Sequence, residues 1–174
     1  MSNKYIIADL HLGDSSVAKY RGVTVEENFE KVLEAFSKFT KNDTVIILGD
    51  LGSSFGYIER FMEEVKCKLL IVAGNHDNVE LIRMILEKGI PVVSSITKCN
   101  YLLTHIPVHP SELINFSGNI HGHLHSGAKI KGNYFNVCID VIGYNPIPFN
   151  RKFSGISKKT HKYVNKPKQK RKYG

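Results

Sequence analysis

Four short apolar runs along the chain each close on a polar side chain that can bind a metal. They are YIIAD ending at Asp9, VIILGD at Asp50, LLIVAGN at Asn75 and YLLTH at His105. Aliphatic and β-branched runs of this length suit strands buried on both faces, as in sheets covered by helices. Helical patterns lie between them. VEENFEKVLEAFSKF sets Val25, Phe29, Val32, Leu33 and Phe36 on one face with charges opposite, and Thr24 with Glu27 makes a capping-box pattern. YIERFMEEV and NVELIRMILEKG predict two more helices, the second starting at Asn78 and stopped by Gly89. YFNVCIDV is expected to supply a last strand or two. This alternation predicts a layered α/β fold.

In open α/β sheets, ligands gather in the crevice outside the carboxyl ends of the strands, so the residues that finish the four runs should converge. Any one of them is explained as a turn residue, because Asp, Asn and Gly favour turns. Four together, with carboxylates and imidazoles at buried strand ends, are costly without a compensating cation. A fifth stretch, NIHGHLHSG, sets His121, His123 and His125 at every second position. Alone it reads equally well as an adventitious zinc site.

Composition bounds the setting. The 174 residues suffice for one domain with a continuous core, read as residues 1–150. The hydrophobic fraction of 42% and mean hydropathy of −0.18 are those of a soluble globular chain. No apolar run approaches the roughly 18 residues of a membrane span. MSNKYIIADLHLG lacks a secretory pattern. Cys67, Cys99 and Cys138 are odd in number and have no CxxC spacing, so free thiols in a reducing cytoplasm are expected. The net charge of +8 is concentrated at one end: residues 151–174 carry ten Lys and Arg and no acid. The remaining body holds fourteen basic and sixteen acidic residues, close to neutral. The tail is expected to be partly disordered, with nucleic acid as its possible partner.

In order, the blocks DLHLG, GD, GNHD, TH and GHLH carry Asp9, His11, Asp50, Asn75, His76, Asp77, His105, His123 and His125. The ordered set resembles the calcineurin-like metallophosphoesterase superfamily, and in compactness its small bacterial and phage members. The resemblance implies a four-layer α/β/β/α sandwich of two mixed sheets flanked by helices. It also implies two divalent ions, one held by Asp9, His11, Asp50 and His125, the other by Asp50, Asn75, His105 and His123, with Asp50 bridging. The donors are carboxylate, amide and imidazole without thiolate, which suits manganese first and iron, zinc or nickel as alternatives. Two such ions activate a shared hydroxide for in-line attack on phosphomonoesters or phosphodiesters. By the same resemblance His76 is the non-ligand histidine at the leaving oxygen, and Asp77 orients it. His121 matches no ligand position and reads as a supporting or structural residue. Arg21 and His109 are candidates for phosphate contacts, with a solvated loop charge as the equal alternative for Arg21.

Departures narrow the branch. Protein Ser/Thr phosphatases of this superfamily carry GNHE and GDxVDRG, whereas this chain reads GNHD and GDLGSS. Only 49 residues follow His125, and no insertion separates Asn75 from His105, so an open site without a cap is expected. The expected protein is a cytoplasmic monomer or weak oligomer. The competing reading is a catalytically weak nucleic-acid-binding module on the same fold, acting through its tail.

Overall fold

The computed structural model describes residues 3–127 and 130–149; the tail expected at 151–174 lies outside the described residues. The first sheet is built from β1 (Lys4–Ile7), β2 (Thr44–Leu48), β3 (Lys68–Val72), β4 (Val92–Val93) and β9 (Ile147–Pro148). Its order is β4-β3-β2-β1-β9, parallel throughout except for β9. Ile6, Ile7, Val45, Ile46, Ile47, Leu48, Ile71 and Val72 are buried, as continuous aliphatic strands require when both faces are covered.

The second sheet holds β5 (Ile96–Lys98), β6 (Tyr101–Leu103), β7 (Gly118–His121) and β8 (Tyr134–Asn136) in that order. β5 and β6 run antiparallel, while β6, β7 and β8 are parallel. The fold is therefore mixed α/β with two mixed sheets, as expected. The sheets meet where β1 ends. Ala8 bridges Cys138, donating its N–H to the Val137 carbonyl and accepting from Ile139 N–H.

Four helices precede Lys88: α1 (Ser15–Arg21), α2 (Val25–Phe36), α3 (Phe55–Glu64) and α4 (Val79–Glu87). The capping box on α2 forms, with Thr24 and Glu27 each bonding the other's backbone N–H. Asn78 caps α4 through Leu81 N–H, and Gly89 follows its end at φ +77°. Phe29, Phe36, Phe61, Ile58, Leu81 and Ile85 carry the helices into one core with the first sheet. α1 was not expected. Asp14 starts it by accepting from the N–H groups of Ser16 and Val17, and Gly22 ends it. Only Ala18 and Arg21 of its seven residues are buried, so it shows no apolar stripe to read.

YFNVCIDV departs from expectation. It holds strand only at Tyr134–Asn136 and then turns into a short helix, α5 (Ile139–Ile142). The Asn136 side chain accepts from Cys138 N–H at that turn, which delivers Asp140 to the site. Cys67, Cys99 and Cys138 are all free. No helix among the described residues is long and apolar enough to cross a membrane.

Candidate metal centre

The loops after the strands are held in unusual backbone conformations. Six described residues other than glycine have positive φ, and four belong to the expected metal set: Asp9 (63°), His11 (49°), Asp50 (52°) and His123 (67°). Each left-handed non-glycine residue costs on the order of 1 kcal/mol and persists only where its surroundings over-determine it. Those surroundings are visible. The His123 N–H reaches both carboxylate oxygens of Asp9 at 3.0 Å, tying the β7 loop to the β1 loop. His76 N–H donates to Asp50 Oδ1 at 2.9 Å. Gly74 passes so close that a Cβ there would collide with the carboxylate of Asp50.

Among the described residues a triad of His125, Cys138 and Asp140 brings ligand atoms within 4.8 Å of one another, and the expected ligands form two further groups. Asp9, His11 and His125 bring ligand atoms within 4.8 Å of one another, and so do Asp50, His105 and His123. Asn75 joins the second group, its Oδ1 lying 2.9 Å from His105 Nε2. Asp50 faces both: Oδ2 is 3.5 Å from His11 Nε2 and 3.3 Å from His105 Nε2. The first sheet thus contributes Asp9, His11, Asp50 and Asn75, and the second contributes His105, His123 and His125. The expected convergence of strand ends holds, but across two sheets.

The donor chemistry fits cations. Both ring nitrogens of His11 are buried without a hydrogen-bond partner, an arrangement rare in native interiors unless something else binds there. His105 donates through Nδ1 to the Leu48 carbonyl at 2.8 Å. Its other nitrogen faces the oxygens of Asn75 and Asp50. Against the effect of burial, Asp50 raises His105 and favours a proton there, whereas the neutral ring points a lone pair at both oxygens. Lone pairs facing one another are what a divalent ion resolves.

Electrostatics agree. Burial lowers His11 to about 4, leaving it a neutral imidazole at neutral pH. Burial raises Asp9 to about 6, against the opposing pull of His105 and His125. Burial pushes Asp50 the same way, yet hydrogen bonds from His105 and the His76 backbone, with the nearby imidazoles, bring it down to about 2. Burial also drives the Cys138 thiol far upward, so it stays protonated beside Asp140.

His76 is exposed at the site, its ring 5.3 Å from that of His11. Asp77 does not have the expected role of orienting it. Its carboxylate accepts from the backbone N–H groups of Gly74 (2.7 Å), Leu51 (2.9 Å) and Asp50 (3.0 Å), clamping the β2 and β3 loops together. Arg21 is also corrected. It is a buried residue of α1 whose guanidinium is spent on protein groups, so it offers no N–H to a phosphate. His109 is exposed and caps the 3-10 turn Pro110–Leu113 through Ser111, a local task. His121, expected as a supporting or structural residue, is buried with Nδ1 2.8 Å from the Gly122 carbonyl.

Sequence reasoning missed Asp140. Its Oδ2 accepts from His125 Nδ1 at 2.7 Å and from Arg21 at 2.8 Å. The signal was present: YFNVCID is another apolar run closing on a carboxylate, like the four that were recognised.

The family model for calcineurin-like phosphoesterases matches residues 4–169. A probable cyclic nucleotide phosphodiesterase of Coxiella burnetii is 29% identical over 165 residues, which cover 84% of this chain and 61% of that protein. The chain thus spans about three fifths of that curated relative's length. The crystal structure of AQ665, a protein of unknown function from Aquifex aeolicus, aligns with a TM-score of 0.65 at 20% identity. That alignment covers 85% of this chain and 96% of the other, and it shows likeness of fold. With the family match running through both sheets and every residue of the Asp/His/Asn centre, the chain belongs to the calcineurin-like phosphoesterase family.

Proposed function

We propose that the chain hydrolyses phosphate esters with two divalent ions. One ion is held by Asp9, His11, Asp50 and His125, the other by Asp50, Asn75, His105 and His123. The observation that carries this reading is the position of Asp50, one carboxylate within 3.5 Å of imidazoles from both groups. Seven donors exceed what one ion takes, and a shared carboxylate is the economical way to serve two. Ions bound there supply an activated water at neutral pH and neutralise phosphoryl charge. Manganese is the first ion to try, because the donors are oxygen and imidazole nitrogen without thiolate.

The chain's own groups complete the chemistry. His76 stands exposed beside His11, where it can donate a proton to the leaving oxygen. Asp77 fixes the loop from which His76 projects. The similarity to a probable cyclic nucleotide phosphodiesterase supports phosphodiesters, cyclic nucleotides among them, as the substrates to test first. Nucleic acid is a proposed partner of residues 151–174, on the strength of their ten basic side chains.

The test is hydrolysis of nitrophenyl phosphate, bis-nitrophenyl phosphate and a cyclic nucleotide with added Mn²⁺, using Asp50→Asn as control. Metal-dependent turnover lost in the control supports the reading. Turnover that survives Asp50→Asn, or none with any divalent ion, removes it.

A further inference from the structure

Arg21 and Asp140 form a closed circuit with one half of the centre. The five N–H groups of Arg21 make five hydrogen bonds. Nε reaches Asp140 Oδ1 (3.0 Å), and Nη2 reaches Asp140 Oδ2 (2.8 Å) and the Asp9 carbonyl (2.7 Å). Nη1 reaches the Leu10 carbonyl (3.1 Å) and Asn28 Oδ1 (3.0 Å). Asp140 Oδ2 then takes Nδ1–H of His125 at 2.7 Å, and His125 Nε2 points back to Asp9 Oδ1 at 3.6 Å. The circuit leaves Asp9 from its carbonyl and returns at its carboxylate.

We propose that Arg21 and Asp140 are positioning residues for the ion in the Asp9–His11–His125 half, and that the other ion does not depend on them. The inference rests on the two-metal reading above. A histidine ligand needs its second nitrogen held, since the partner at Nδ1 fixes both the tautomer and the ring's direction. Asp140 does this for His125: with Nδ1–H given away, the lone pair belongs to Nε2. A half-buried carboxylate so placed calls for its own counter-charge, and the planar fork of Arg21 meets it through two parallel bonds. The remaining Arg21 donors hold the carbonyls of Asp9 and Leu10, inside the left-handed Asp9–His11 loop. One cation thus stiffens both arms of the half-site. Asn28 seals it, donating to Leu10 O at 3.1 Å while its Oδ1 takes the Tyr144 hydroxyl at 3.0 Å.

The second half is anchored differently. There His105 Nδ1 is held by a backbone carbonyl, Leu48, outside the circuit, and the circuit touches this half at the His123 backbone N–H, through Asp9, rather than at an imidazole. Side-chain changes in the circuit should therefore loosen one ion and spare the other.

The experiment uses the full chain, stripped of metal and titrated calorimetrically with Mn²⁺. It compares wild type, Asp140→Asn and the double variant Arg21→Met/Asp140→Leu, which removes both charges of the pair together. Circular dichroism checks folding. In the double variant one of two affinities should fall about ten- to a hundredfold while the other stays. Asp140→Asn keeps an acceptor for His125 and should give a smaller loss. Unchanged affinities, or equal loss of both ions in a folded variant, overturn the inference. If wild type binds fewer than two ions, the two-metal reading fails instead. A separate readout then decides the positioning role. In metal-free wild type, at a pH where His125 is neutral, ¹⁵N NMR should find its proton on Nδ1. A proton on Nε2 overturns it, and that measurement needs no variant to fold.

Discussion

His11 Nε2 lies 3.5 Å from Asp50 Oδ2, and neither ring nitrogen of His11 has a hydrogen-bond partner. A buried polar atom left unsatisfied costs about 1–3 kcal/mol. A cation between the two residues would convert that cost into binding. Added Mn²⁺ at a hundredfold excess over its dissociation constant should stabilise the fold by about 2.7 kcal/mol. For a chain of this size that raises Tm by roughly 5–10 °C. Differential scanning fluorimetry checks it, and His11→Ala should abolish most of the shift. No shift with Mn²⁺, Zn²⁺, Fe²⁺ or Ni²⁺ would count against cation binding at His11.

Asp9 sets a pH dependence of the metal-free protein. Its carboxyl is raised from an ordinary 3.8 to about 6, burial being the main cause. Between those values the folded chain holds a proton that the unfolded chain has released, so this contribution to stability falls as pH rises through the window. Above pH 6 the charged, ion-free Asp9 costs on the order of 3 kcal/mol. Asp9→Asn should therefore be more stable than wild type at pH 7.5 in EDTA and lose that advantage near pH 4. With Mn²⁺ the order should reverse, because the variant cannot complete the site. Urea unfolding at the two pH values, with and without metal, decides it. A wild-type chain more stable than Asp9→Asn in EDTA at pH 7.5 contradicts the assignment.

Asp77 separates two roles that the GNHD motif leaves confounded. If it oriented His76, Asp77→Asn would change the pH–rate profile and leave folding alone. Its carboxylate instead takes three backbone N–H groups. Asp77→Asn turns one acceptor into a donor facing an amide, so a loss of about 1–3 kcal/mol is expected. Mn²⁺ affinity should drop with it, because Asp50 moves with its own backbone. Unchanged Tm with a shifted pH–rate profile would restore the orienting role.

The tail is tested by removal. Deleting residues 158–174 takes away eight of its ten basic side chains. Turnover of a small nitrophenyl ester should stay unchanged. Retention on nucleic acid should fall, and what wild type shows should weaken steeply with salt. Retention that is unchanged or insensitive to salt eliminates this partner.

Much of the fold and site was legible because the same chemical device recurs. Asp9, Asp50, Asn75 and His105 each close an apolar run, a pattern readable from hydropathy alone, although only Asp9, Asp50 and His105 are buried and Asn75 is exposed. The α2 cap was legible because Thr24 and Glu27 stand at a spacing with one geometric meaning. What stayed hidden depended on tertiary partners. Arg21 read equally as a phosphate contact or a loop charge because α1 is short and its buried positions, Ala18 and Arg21, form no apolar pattern. Asp77 carried an assignment borrowed from its motif, while its lone pairs went to neighbouring backbone. Asp140 was concealed by a run whose β-branched residues read as strand. The turn at Cys138 is held locally by Asn136 and, across the molecule, by pairing of the Ala8 backbone with Val137 and Ile139, contacts that no local pattern encodes.

His76 is the last residue whose role can be isolated. Its side chain is exposed, and its backbone N–H, the part bonded to Asp50 Oδ1 at 2.9 Å, survives any substitution except proline. His76→Ala therefore removes the imidazole while leaving Asp50 held and the donors of both groups in place. Both Mn²⁺ affinities should be retained, with turnover reduced about 10²–10⁴-fold, the usual contribution of a general acid. The loss should be smaller for a nitrophenyl ester than for a cyclic nucleotide, because nitrophenolate leaves without needing a proton. Parallel kinetics on the two substrates, with calorimetry on the same preparation, read both effects. Loss of an ion from His76→Ala would make His76 a ligand. Equal losses on both substrates with the ions retained would assign it to binding rather than to protonating the leaving oxygen.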